Sequence, residues 1–166
     1  QPGPHWTFNA GGMFARDQIS GSQFAPRLFA NWKPLPGQTL KAGISEAFRT
    51  PSLFEQRADW RVGYQGQVLD ILYRTRGLLL PELVRAKEVV YLGEWQTLGL
   101  TVDVRVFQED IRRLITRELY ALGDGSGAAA YDLRNNADAM VRGREAQLQW
   151  RPTSRVLLAA TGHVSS

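Results

Sequence analysis

Residues 98–107 alternate with a strict period of two. Leu98, Leu100, Val102, Val104 and Val106 share one parity, and Gly99, Thr101, Asp103, Arg105 and Phe107 share the other. A helix would scatter these residues around its circumference, whereas an extended strand sorts them onto two sides. The segment is therefore a strand with one apolar and one wet face, and Asp103 and Arg105 point the same way. A chain built from such segments folds as sheet, and the apolar side of each strand must meet either a protein core or lipid.

The same pattern recurs with more noise. Residues 39–47 set Leu40, Ala42 and Ile44 against Lys41, Gly43 and Ser45; residues 24–33 set Leu28, Ala30 and Trp32 against Arg27, Phe29 and Asn31. Residues 87–96 set Val89, Tyr91, Gly93 and Trp95 against Glu88, Val90, Leu92 and Glu94, and residues 139–150 set Ala146, Leu148 and Trp150 against Glu145, Gln147 and Gln149. Segments 6–16 and 156–164 complete about seven strands. The expected fold class is all-β, with antiparallel up-and-down strands.

The connections sort by length. Segments 34–38, 96–97 and 151–154 are short, whereas 50–86 and 116–131 are long. These alternate along the chain, except that 19–22 is short where a long loop is allowed. Alternation places tight turns at one end and large loops at the other, the asymmetry of an outer-membrane barrel. A soluble sandwich has no reason to sort its loops this way. Trp32, Trp95 and Trp150 each lie near a short turn on the apolar parity, as an interfacial aromatic girdle requires.

Composition excludes several classes. No run approaches the roughly 18 apolar residues of a membrane helix, which leaves the β-barrel route open. The chain has no Cys, so a disulfide framework, a thiolate metal site and a Cys nucleophile are all excluded. Twenty Lys+Arg against 16 Asp+Glu give a charge of +4 without a basic block, so no nucleic-acid partner is expected. Residues 1–4 carry no signal-peptide pattern, and 155–166 read as a strand that stops without a partner; both ends suggest a fragment.

No catalytic or metal-binding set emerges. Segment 123–127 resembles a phosphate loop only in its glycines and is expected to be a flexible loop. His5 and His163 are far apart in sequence and lack partners; His163 is expected to face the barrel lumen. Glu109 and Asp110 are adjacent and point to opposite faces, and nothing orients a nucleophile for His163. No enzyme activity, metal or cofactor is expected.

Several motifs, in order, resemble part of the barrel of a TonB-dependent outer-membrane receptor. Phe48-Arg49-Thr50-Pro51 resembles the family's FRAP box, with Thr50 in place of Ala. Leu80-Pro81-Glu82-Leu83 stands where the family has Asn-Pro-(Asp/Asn)-Leu. Phe107-Gln108-Glu109-Asp110-Ile111 with Leu114-Ile115 resembles Phe-x-x-Asp-Ile-x-x-Leu-Ile, and Arg142-Gly143-Arg144-Glu145 resembles Arg-Gly-Val-Glu. Ala25-Pro26-Arg27-Leu28 with Asn31-Trp32, and Glu88 to Gly93, resemble flanking strands. The resemblance covers most of the chain from about Gln23. It implies a partial segment of a large transmembrane β-barrel in a Gram-negative outer membrane, plugged by an N-terminal domain absent from this chain. It implies a TonB energising complex that acts through that missing region, outer-membrane lipid against Leu98, Leu100, Val102, Val104 and Val106, and a ferric siderophore or related iron complex as ligand. The alternative is a soluble β-sandwich or small-barrel binding module, in which those apolar residues would form a dry core.

The loop 50–86 carries the ligand candidates Arg57, Trp60, Arg61, Tyr64, Tyr73, Arg74 and Arg76. Guanidinium groups beside aromatic rings suit an anionic, partly aromatic ligand, a description that ferric siderophores fit. Val68, Ile71 and Leu72, with Asp70 and Arg74 four apart, predict a short helix over 67–74. Haem receptors of the family carry a His between the two boxes as iron ligand; neither His lies between Phe48 and Leu83.

Overall fold

The computed structural model describes residues 5–18, 21–123 and 128–166. Among these residues the chain forms nine strands: β1 (His5–Asp17), β2 (Gly21–Lys33), β3 (Gln38–Arg49), β4 (Asp59–Tyr64), β5 (Gln67–Arg74), β6 (Glu82–Trp95), β7 (Leu100–Ala121), β8 (Ala129–Thr153) and β9 (Val156–Ser165). A five-residue helix, α1 (Leu53–Arg57), follows β3. The sheet runs β1-β2-β3-β6-β7-β8, with β9 antiparallel on β8 and the β4–β5 hairpin attached to β8 through β5. Along β1-β2-β3-β6-β7-β8-β9 each strand pairs antiparallel with the next, the up-and-down order, while β5 meets β8 in one parallel bridge.

Register carries each strand's alternation across the sheet. One continuous row reads Trp6, Trp32, Leu40, Tyr91, Val104, Ala146 and Gly162. Trp6 stacks on Trp32 at 5.7 Å and so joins the expected girdle. At the β6–β7 turn Trp95 pairs with Leu100, which pairs with Trp150. The Trp150 indole donates to the Leu98 carbonyl at 3.1 Å. The apolar face is uncovered: only four hydrophobic residues among those described are buried, Ala25, Ala58, Leu79 and Ala130, whereas Val106 is 49% and Leu148 41% exposed. A sandwich would cover that face with a second sheet; here a single sheet presents it outward.

The opposite face is wet. Glu88 accepts from Lys41 at 3.1 Å and Arg105 at 2.8 Å, Arg105 reaches Glu145 at 3.5 Å, and His163 lies 3.7 Å from Glu145. This ladder crosses five strands, and it places His163 on the polar face beside Glu145. Two strand glycines there have a packing reason. Gly143 is the direct partner of Phe107 and Gly43 of Phe29; each ring lies where a Cβ on the glycine would stand. Motif residues thirty-six positions apart are thus two halves of one contact.

Three expectations are corrected. Leu98 lies in the 3₁₀ turn Gln96–Leu98, not on the apolar face of the strand. The helix expected over 67–74 is strand β5, because Gln65 (φ 49°) and Gly66 (φ 83°) turn the chain in a two-residue hairpin whose register sets Tyr73 against Trp60. The loop expected over 116–131 is largely strand, since β7 runs to Ala121 and β8 begins at Ala129. A bulge hides it: Arg113 sits at φ 59° and the β7–β8 register shifts on either side of Leu114. Parity flips there, so an alternation read straight through dissolves. The two strands of the hairpin bring the total among the described residues to nine, where about seven are expected. Expectations for 1–4, 19–20 and 124–127 lie outside the described residues.

Candidate functional site

The long connections gather at one end, and the two sequence boxes are tied together there. Ser52 caps α1: its hydroxyl accepts from the Glu55 amide at 3.2 Å, and the Glu55 carboxylate accepts from the Ser52 amide at 2.7 Å. This reciprocal box lets a single helical turn persist. Arg49 then holds Glu55 with both terminal nitrogens, at 3.1 and 3.0 Å, while its Nε donates to Glu82 at 2.5 Å. The second Glu82 oxygen accepts from the Ile115 amide at 2.7 Å. Phe48-Arg49-Thr50-Pro51 and Leu80-Pro81-Glu82-Leu83 are therefore the two feet of one loop. Burial pushes the Glu55 carboxyl up, but the Arg49 and Ser52 hydrogen bonds outweigh it and hold the group below the ordinary glutamate range.

Between the feet, the β4–β5 hairpin presents aromatic rings. Tyr73 stacks on Trp60 at 6.2 Å, meets the Phe54 edge at 5.5 Å and lies 5.8 Å from Tyr131 of β8, its partner in the single β5–β8 bridge. The Arg117 guanidinium lies over the Tyr131 ring at 5.1 Å. The return segment is pinned at each step. The Thr75 amide donates to Ala58 O at 2.8 Å. The Gln56 amide group bonds Leu79 in both directions, at 3.0 and 3.2 Å. Asn135 treats Leu80 likewise, at 2.8 and 2.9 Å.

Asp132 is the buried centre of this anchor, its side chain 2% exposed. It accepts from the Arg76 amide at 3.1 Å, from Arg76 Nε at 2.9 Å and from Arg134 Nε at 2.9 Å. Burial alone would raise its pKa; the bonds from Arg134 and Arg76 outweigh that and lower it. The Arg76 guanidinium also lies over the Tyr120 ring at 4.4 Å, and Tyr120 donates to Arg74 O at 2.9 Å.

The seven expected ligand candidates separate into three groups. Trp60 and Tyr73 meet in the aromatic cluster. Arg76 is committed to Asp132, and Arg61 to Asp59 through two bonds of 2.6 Å. Tyr64, at the hairpin end, is 65% exposed, and Arg57 and Arg74 form no ion pair among the described residues. Asp132, Tyr131, Tyr120 and Arg117 escaped the sequence reading because they lie beyond the bulge. The polar alternation Thr116, Glu118, Tyr120 is the signal that could have found them. Of the other motif residues, Pro51, Pro81 and Glu82 are buried, and Gly143 lies under Phe107.

A single sheet with one apolar face girdled by tryptophan, tight turns at one end and pinned loops at the other defines a segment of a transmembrane β-barrel. The family profile described as TonB dependent receptor-like, beta-barrel, matches residues 1–165; the chain belongs to that family of outer-membrane receptors. It is 31% identical over 158 residues to the iron-regulated outer membrane virulence protein of Vibrio cholerae serotype O1, a match covering 91% of this chain and 23% of that protein. It is 29% identical over 143 residues to the ferric enterobactin receptor of Pseudomonas aeruginosa, covering 78% of this chain and 19% of that protein. The crystal structure of the P. aeruginosa siderophore receptor PirA superposes with a TM-score of 0.77 at 21% identity, over 100% of this chain and 32% of that one. The ferric enterobactin receptor PfeA in complex with BCV-L6 gives 0.77 at 25% identity, over 97% and 24%. The chain thus spans less than a quarter of the curated relatives it matches.

Proposed function

We propose that this barrel segment belongs to a receptor that imports a ferric siderophore or similar iron complex, and that the cluster at its long-loop end contributes to the ligand site. The supporting observation is the contact of Trp60, Tyr73 and Tyr131 with the Arg117 guanidinium over the Tyr131 ring, while the adjoining loop also carries Arg57 and Arg74: flat rings for a ligand's aromatic groups and cations for its negative charge. Arg61 and Tyr64 extend that surface along the hairpin, and Arg76 positions it through Asp132. The energising TonB complex would act through an N-terminal region outside this chain. Leu100, Val102, Val104 and Val106 would face outer-membrane lipid, while Asp103 and Arg105 face the lumen. The iron is cargo, and the protein's own residues only bind and orient the complex.

The test uses the full receptor. Trp60→Ala with Tyr73→Ala removes two rings each worth about 1 kcal/mol, so affinity for a ferric tris-catecholate is expected to fall about 30-fold while barrel stability holds. Arg57, Arg61 and Tyr64 substitutions are expected to weaken uptake without loss of folding. Unchanged affinity in every variant would refute the site assignment.

A further inference from the structure

Three residues other than glycine, among those described, have a positive φ: Gln65 at 49°, Arg113 at 59° and Leu78 at 65°. A bulky side chain enters this region at a cost, because its Cβ crowds the following carbonyl. Gln65 turns the β4–β5 hairpin and Arg113 stands at the β7 bulge, so each has a local reason. The backbone at Leu78 has one too. Gly77 (φ 73°) passes so close to α1 that a Cβ on it would stand 3.3 Å from the Gln56 carbonyl oxygen. The turn over Gly77 and Leu78 then brings the Leu79 amide and carbonyl onto the Gln56 side chain.

The leucine side chain has no such reason. Leu78 is 95% exposed, more than any other large apolar residue among those described, while its neighbour Leu79 is buried. Glycine or asparagine would make the same turn with less strain. An exposed leucine alone is ordinary. Here it adds exposed hydrocarbon to a strained backbone, and the segment around it is clamped. Arg76 is fixed on Asp132, and Leu80 is fixed on Asn135. The apolar tip therefore projects from a rigid base. That base adjoins the aromatic cluster, because α1 carries Phe54 against Tyr73 and, two residues on, Gln56 against Leu79. Strain that the surroundings over-determine is characteristic of ligand clamps.

We propose that Leu78 is a contact residue for the imported complex, its side chain closing on an apolar face of that cargo beside the rings of Trp60 and Tyr73. The proposal rests on the receptor reading above but uses a different side chain from the ring cluster. A knob already fixed in place loses little freedom on contact, so most of the apolar surface it buries counts toward affinity.

The test uses the full receptor in detergent, with a ferric tris-catecholate as probe. Leu78→Asn suits the positive φ and removes the apolar side chain. Covering part of a leucine side chain corresponds to about a tenfold change in affinity, so this variant should bind the probe about tenfold more weakly. Leu78→Met keeps an apolar side chain of similar volume and should bind within about twofold of wild type. Hydrogen exchange of the Leu79 and Leu80 amides in Leu78→Asn should be as slow as in wild type or slower, since the turn is less strained. Wild-type affinity in Leu78→Asn, or an equal loss in Leu78→Met, would overturn the proposal. So would a loss accompanied by faster exchange at Leu79 and Leu80, which would make the leucine a prop for the turn. Ring substitutions separate this contact from the cluster. Weaker binding in Trp60→Ala with Tyr73→Ala but not in Leu78→Asn refutes the leucine contact alone; the reverse refutes the cluster and supports the contact.

Discussion

Asp132→Asn isolates what holds the long loop in place. The substitution conserves shape and leaves one oxygen for the Arg76 amide, but it removes the charge and turns an NH₂ group toward two guanidinium donors. A hydrogen bond to a charged group is worth about 1.5–3 kcal/mol, and an acceptor 2% exposed cannot recover its loss from water. Arg76 is half exposed, which screens its share. Loss of about 2–3 kcal/mol in the local opening free energy is therefore expected, confined to the segment 75–81. Hydrogen exchange of the Arg76 and Leu79–Leu80 amides in the full receptor should accelerate about 30- to 150-fold, while strand amides of β7 near Val104 stay unchanged. The pH dependence supplies a second readout. Asp132 titrates lower in the folded state than in the unfolded chain, so its contribution is fully present above the unfolded value of about 3.9 and fades as pH falls through the folded value. Wild type and Asp132→Asn should thus differ most at neutral pH and converge in strong acid. Equal exchange at neutral pH, or a gap that persists in strong acid, would refute the assignment of Asp132 as the loop's anchor.

Two further outcomes follow from the sheet. Gly143→Ala places a methyl group against the Phe107 ring, and overpacking of this kind costs about 1–3 kcal/mol; the full receptor should unfold at lower denaturant, and Phe107→Ala in the same chain should recover part of the loss. Val102→Arg, on the apolar face, should destabilise the barrel by about 2–4 kcal/mol in a bilayer, whereas Asp103→Arg should be tolerated; equal unfolding midpoints for the two would count against the assignment of faces.

Register explains why the apolar and polar faces are legible in the amino-acid order. Once Leu100, Val102 and Val104 share a parity, pairing at fixed register forces Leu148, Ala146 and their neighbours onto the same side. Loop lengths then tell one end from the other. The β4–β5 hairpin is less visible, since Val68, Ile71 and Leu72 satisfy a helical spacing as readily as a strand.

The sequence by itself determined the sheet, its two faces, the girdle near the short turns and the family, because each depends on a local period or on motif order along the chain. Only the tertiary structure decided that Arg49 bridges Glu55 and Glu82, that Asp132 anchors Arg76, and that Leu78 stands exposed on a clamped turn. Two of those contacts join residues 33 and 56 positions apart, and the Asp132 anchor depends on how a bulge near Arg113 resets parity in β7 and β8. A single bulge carries no periodic signature, yet it redirects every side chain beyond it.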